Sequence, residues 1–280
     1  MTNHLDQLRV LMICAHPDEP DMYAGGLAAL YAERGHRVKF LSLTNGDAGH
    51  FSLPKQEVAA RRKQEARLAA QRLGIDAYEV LDHSDGMLEP SLALRHEVLR
   101  HIRAYEPDVL VTFHPEGGNS PDNRYTGKIV SDAVPYAGLP QYMPDPDAPY
   151  LKKKLLVLLM PDMSLHNDYR PDVAIDVSSV IEKKLLACDA HATTFYDLIP
   201  WFKGTLDQVP VAWEDRKRYL LDNWPTTFYA SPRMRTALEQ AYGSVRAGEV
   251  RYAEGFEIAR YSFKPDAEQL KRYIPMLGEG

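Results

Sequence analysis

The sequence predicts an α/β fold: a Rossmann-like, mostly parallel sheet with helices on both faces, followed by a mixed C-terminal extension. Three observations carry that expectation. Apolar runs of strand length alternate with helical stretches along the first 200 residues, the pattern of strand–helix–strand units. Runs such as Val10-Leu11-Met12-Ile13-Cys14 and Val109-Leu110-Val111 are continuously apolar rather than alternating, which suits strands covered on both faces. Polar loops starting at His16, Thr44 and His114 then fall at the carboxyl ends of strands, the edge at which such sheets place their chemistry.

The elements follow in order. A strand over 8–15 stops at His16-Pro17, and a helix over 23–34 carries Gly25-Gly26, which permits close helix-to-sheet contact, before Gly35 ends it. A strand over 37–44 leads into the turn residues 44–50, and a helix over 54–73 is closed by Gly74. A strand over 78–81, a helix over 90–105 and a strand over 108–113 come next, the last ending at His114-Pro115. A loop over 116–124 precedes a helix over 125–134. A Pro-rich crossing over 140–149 leads to strands over 154–160 and 172–177 and a helix over 178–192. Beyond Phe195 the pattern is aromatic and irregular, and no strand is placed there. The expected organisation is a catalytic-type domain over 1–200 with 201–280 as an extension packed on the same domain.

Composition narrows the partners. The formal net charge is -6, and the one dense basic run, Lys152-Lys153-Lys154, enters an apolar strand, which argues against a nucleic-acid partner. Two distant cysteines, Cys14 and Cys188, provide neither a disulfide framework nor a CxxC metal site. The start lacks the basic and apolar regions of a signal peptide, and no apolar run reaches bilayer length. The expectation is a cytoplasmic protein with a small-molecule partner and no membrane span, with a homo-oligomer left open.

His16, Asp18 and Glu19 place an imidazole and two carboxylates directly after a buried strand. Imidazole nitrogen and carboxylate oxygen suit zinc and other borderline divalent metals, and a catalytic site needs about three protein ligands with one position open. His16 and Glu19 could hold the metal while Asp18, uncoordinated, takes a proton from water. The competing local reading is a strand-end turn in which Pro17 ends the ladder and Asp18 caps the next helix.

Further matches follow in chain order. Ala15-His16-Pro17-Asp18-Glu19 is followed by Gly25-Gly26, by Thr44-Asn45-Gly46-Asp47-Ala48-Gly49, by Arg62 and Glu65 on a helix ending in Leu73-Gly74, by Asp85-Gly86, and by Ala187 to His191. This series resembles the PIG-L/LmbE-like family, the metal-dependent de-N-acetylases of acetamido sugars. The resemblance implies a zinc-type hydrolase that removes an acyl group from the amide of an N-acetylated sugar or glycoconjugate. It makes His16 and Glu19 metal ligands, Asp18 the general base, and Arg62, Asp47, Ser120 and His191 the substrate side of the site.

The segment Ser120-Pro121-Asp122-Asn123 departs from the family pattern, because Asn123 stands where the remaining metal-binding histidine is expected and Ser120 where a second histidine is. An amide oxygen is a poor substitute for imidazole on zinc. Three expectations follow. His114, or else His83 or His50, completes the site; a harder metal uses His16, Glu19 and the Asn123 oxygen; or the metal is lost and the pocket binds a sugar-like ligand or does metal-free chemistry. Asp47 and Asp122 read either as turn residues or as partners that orient an imidazole.

Other classes find no support. There is no Gly-x-Ser-x-Gly elbow, Gly-x-Gly-x-x-Gly loop or Walker segment. Trp201, Trp213, Trp224, Tyr219, Tyr229 and Tyr242 read as core or oligomer contact.

Overall fold

The computed structural model describes residues 7–161 and 169–277. Its centre is a seven-stranded sheet in the order β3-β2-β1-β4-β5-β7-β6. β1 (Arg9–Cys14), β2 (Arg37–Thr44), β3 (Ala77–His83), β4 (Val109–Thr112) and β5 (Leu156–Leu159) run parallel. The chain moves outward from β1 to β2 and β3, then returns across the sheet to β4 and β5. That reversal splays the loops after β1 and β4 apart and opens a crevice between them, where ligands bind in sheets of this kind.

The helices cover both faces. α1 (Glu19–Glu33) and α2 (Lys55–Leu73) pack with α5 (Ile181–Ala190), and α3 (Leu92–Tyr105) packs with α4 (Pro121–Ala137). β1 and β4 are buried along almost their whole length, as continuous apolar strands between two helical layers should be. Among the described residues no helix is long and apolar enough to cross a membrane.

The stretch after Phe195 holds more order than its pattern suggests. It begins with a π-helical turn, Thr193–Leu198, that runs into α6 (Ile199–Lys203). α7 (Trp213–Asn223), α8 (Pro225–Phe228), α9 (Arg235–Tyr242) and α10 (Ser244–Glu249) follow, then β7 (Ala253–Ile258) and α11 (Ala267–Tyr273). β7 inserts antiparallel between β5 and β6 (Val173–Asp176). It escapes a sequence reading because Glu254, Gly255 and Glu257 interrupt its apolar character.

Glu254 is nonetheless buried. Its carboxylate accepts the backbone N–H groups of Gly26 at 2.8 Å and Leu27 at 2.7 Å and meets the fully buried Lys184 ammonium at 2.7 Å. The close approach needs a glycine, since a Cβ on Gly26 would lie 2.6 Å from Val177 Cγ1. Removing one partner leaves the other charge buried and unpaired. Lys184→Met is therefore expected to destabilise the fold by about 3–5 kcal/mol, with much of the loss recovered in Lys184→Met/Glu254→Gln. Urea unfolding of the two variants tests this.

Candidate active site

β1 delivers its loop into the crevice under tension. Asp18 has φ 116°, a conformation that costs a residue with a Cβ about 1–3 kcal/mol and that persists only where the surroundings enforce it. The Asp18 N–H donates to the Tyr78 hydroxyl at 2.9 Å, and Arg62 grips the side chain. Glu19 opens α1 and folds back over the loop. Its Oε2 accepts the N–H groups of Ala15 at 3.0 Å and His16 at 2.8 Å, while its Oε1 lies 2.8 Å from His16 Nδ1 and accepts the Asn123 amide.

The other pole of the His16 ring faces two more carboxylates. His16 Nε2 lies 3.0 Å from Asp85 Oδ1 and 3.4 Å from Asp122 Oδ2. With Nδ1–H donated to Glu19, an Nε2 lone pair would point at negative charge, so this geometry calls for a proton on Nε2 or a cation in its place. Burial alone would lower the His16 pKa, but Glu19, Asp122 and Asp85 together hold it well above the ordinary imidazole range. Burial likewise pushes Asp85 up, and its hydrogen bond and charge interaction with His16 outweigh that and leave it low.

Those three groups form a candidate cation seat. Among the described residues, one ligand atom each from His16, Asp85 and Asp122 lies within 4.8 Å of the others. One imidazole and two carboxylates suit zinc and other divalent ions, and Glu19 on the far nitrogen takes the position of a carboxylate that orients a metal-bound imidazole. Both aspartates are braced. Asp122 accepts the N–H groups of Gly86 at 2.7 Å and Leu88 at 3.3 Å. Asp47 accepts the Ser84 hydroxyl and the Asp85 N–H, each at 2.9 Å, so it supports the Asp85 loop and does not line the pocket.

The side of the ring that faces Glu19 and Asn123 is taken up by hydrogen bonds. Ser120 and Asn123 form a capping box: Ser120 Oγ accepts the Asn123 N–H at 3.2 Å and Asn123 Oδ1 accepts the Ser120 N–H at 3.0 Å. The amide oxygen thus faces the start of α4 and its NH2 faces Glu19, so Asn123 presents a donor where a ligand would need a lone pair. The box also explains why α4 begins at Pro121 rather than near Tyr125. The histidines considered as replacements lie elsewhere. His114 lines a separate cavity with Arg170, Asp172 and Glu257, His83 pairs with Glu97 at 2.8 Å, and His50 Nδ1 accepts from Ser52 and Leu53.

Arg62 reaches Asp18 from α2. Its Nη2 donates to Asp18 Oδ1 at 2.6 Å, to the Pro17 carbonyl at 2.5 Å and to Thr194 Oγ1 at 3.2 Å. The glycines after β2 clear its path: a Cβ on Gly46 or Gly49 would come within 2.6 Å or 2.4 Å of Arg62 Nη1. The loop that resembles a phosphate cradle is therefore a channel for a guanidinium. Burial pushes Asp18 up to about 6, ahead of the opposing pull of Arg62.

His191 lies beneath this layer. It is fully buried, and its Nε2 sits 2.9 Å from Asp21 Oδ2. It is not among the residues that line the pocket. The cavity holds about 710 Å³ and is lined by His16, Asp18, Glu19, Arg62, Asp85 and Ser120. Leu198, Ile199, Phe202 and Trp224, which also line it, carry no spacing signal that would have marked them, because they come from the π-helical turn, α6 and the junction of α7 with α8.

An acid and an imidazole thus lie at the switch point of a mostly parallel sheet in an α/β protein, with a candidate cation seat beside them. Residues 11–134 match the family described as PIG-L, GlcNAc-PI de-N-acetylase. The chain is 30% identical over 200 residues to the diacetylchitobiose deacetylase of Thermococcus kodakarensis, covering 68% of this chain and 71% of that one. It is 27% identical over 226 residues to a 1D-myo-inositol 2-acetamido-2-deoxy-alpha-D-glucopyranoside deacetylase of a Mycobacterium species, covering 66% and 73%. The protein belongs to the PIG-L family. Its fold is shared with the N,N'-diacetylchitobiose deacetylase of Pyrococcus horikoshii, at a TM-score of 0.67 and 24% identity over 94% of this chain and 89% of that one.

Proposed function

We propose that the protein is a metal-dependent hydrolase that removes the acetyl group from the amide of an N-acetylated sugar or glycoconjugate. The observation that carries this reading is Asp18, strained, buried and gripped by Arg62 within the pocket that His16 and Asp85 also line, with Asp122 buried behind the His16 ring. A divalent ion in that seat, with zinc the fitting choice for one imidazole and two carboxylates, would supply a positive centre that polarises the amide carbonyl and acidifies water.

The chain's own groups do the rest. Asp18 accepts the proton of the attacking water and returns it to the leaving amine. Arg62 fixes Asp18 through Oδ1 and leaves Oδ2 to take the proton. Asn119, Ser120 and Thr194, which line the same end of the cavity, provide donors and acceptors for sugar hydroxyls.

Acetate release from N-acetylglucosamine glycosides, abolished by a chelator and restored by zinc, cobalt, manganese or iron, tests this reading. The base works only when ionised, so kcat/KM is expected to fall as pH drops through about 6, the range to which burial raises Asp18; a bound cation would move that limb lower. The contact of Asn123 with Glu19 favours one other reading, a family member that binds a sugar-like ligand without hydrolysing it. Ligand binding with no acetate release under any of these metals would establish that alternative.

A further inference from the structure

Beside its polar groups the cavity is lined by Met22 from α1, Leu198 from the π-helical turn, Ile199 and Phe202 from α6, and Trp224 at the end of α7. Phe202 is 70% exposed although it lines the cavity. From it an aromatic row continues outward. The Trp201 ring lies 5.0 Å from Phe202, and Phe51 stacks on Trp201 at 5.4 Å with an interplanar angle of 9°. Trp201 and Phe51 are themselves 44% and 39% exposed.

Exposed aromatics grouped at a pocket mouth mark a recognition surface far better than scattered ones do. The cavity's 710 Å³ is in the range of pockets for drug-sized ligands, about 300–1,000 Å³, and exceeds what one acetamido sugar fills. Resting on the deacetylase reading above, we propose that this wall is an aglycone subsite, and that the substrate is an N-acetylated sugar carrying a planar apolar aglycone. The openness of the row selects the aglycone over a long acyl chain. An acyl chain ends and suits a closed tunnel, whereas a row that runs from the reacting centre into solvent suits a group joined to a larger molecule. The polar groups around Asp18 keep the sugar, and Phe202 and Trp224 take the apolar aglycone.

The test compares methyl, cyclohexyl and naphthyl glycosides of N-acetylglucosamine, and in parallel methyl glycosides bearing N-acetyl, N-butyryl and N-octanoyl groups, on the native protein and on Phe202→Ala. The naphthyl glycoside is expected to show at least a tenfold higher kcat/KM than the methyl glycoside, through KM, with the preference lost in Phe202→Ala. Calorimetric binding of naphthyl glucoside, which has no amide to cleave, gives a second readout independent of hydrolysis. Binding with no hydrolysis of any compound would overturn the deacetylase reading and leave the aglycone subsite standing. Hydrolysis with equal rates across the aglycones, or a preference that follows acyl length, would overturn the subsite.

Discussion

Asp18→Asn is expected to reduce amide hydrolysis by about 10²–10⁴-fold, the range for loss of a general acid–base group, while leaving the fold intact. Asparagine suits the position for two physical reasons. It tolerates positive φ better than other residues with a Cβ, so the backbone at φ 116° is not asked to move. Its side-chain oxygen can still accept from Arg62 Nη2, which meets Asp18 Oδ1 at 2.6 Å, so the guanidinium keeps a partner. What disappears is the group that can take a proton. The acid limb of the pH profile should vanish with the rate, an outcome that mere loosening of the loop would not produce. Arg62→Lys should act differently: it keeps a charge beside Asp18 but cannot also hold the Pro17 carbonyl and Thr194 in one fork, so its loss of rate should be smaller and the limb should remain. Steady-state kinetics between about pH 4 and 9, bracketing the tuned carboxylate, separate the two cases.

The parallel half of the sheet was legible because burial on both faces leaves little choice of residue. β1 and β4 read as strands from apolar continuity alone, and Gly74, with φ 77°, marked the end of α2 as glycine at a helix terminus should. The rest depended on long-range pairing. β7 carries a glutamate in its middle that is tolerable only because Lys184 and the α1 backbone meet it, and no local pattern announces a partner 70 residues away in sequence. The start of α4 was missed for a different reason. Ser120 and Asn123 were read against the histidines expected there, although serine followed by proline and a polar third residue is itself a helix start.

The site divides along the same line. His16, Asp18, Glu19, Arg62 and Ser120 are brought into one cavity, as the order of motifs implied. Their division of labour was not legible, because it depends on which nitrogen of one imidazole faces which carboxylate. Asp47 and His191 lie outside the lining of the cavity, one bonded to the Asp85 loop and the other to Asp21. Asp85, read only as part of the Asp85-Gly86 match, and Asp122, read as a turn residue or a partner that orients an imidazole, are the carboxylates that face His16 Nε2.

The second large effect separates the two sides of that ring. Asp85→Ala is expected to weaken divalent-metal binding by more than the roughly 10–100-fold typical of losing a partner that only orients a ligand, because it removes one of three basic atoms and leaves Asp122 alone opposite His16. Asn123→Ala should leave metal affinity within a few-fold, since its amide faces Glu19 with N–H and not with a lone pair. Its cost should appear instead in stability, about 1–2 kcal/mol for one side of a capping box and a hydrogen bond to a carboxylate. Isothermal titration with zinc and cobalt, alongside thermal unfolding, measures both quantities on both variants. The metal should also displace a proton from His16, because Glu19, Asp122 and Asp85 hold that imidazole protonated above its usual range, so the measured enthalpy should depend on the buffer and affinity should weaken as pH falls. If Asn123→Ala abolished binding while Asp85→Ala did not, the cation would sit on the Glu19 side of the ring, and the capping box would have to open to admit it.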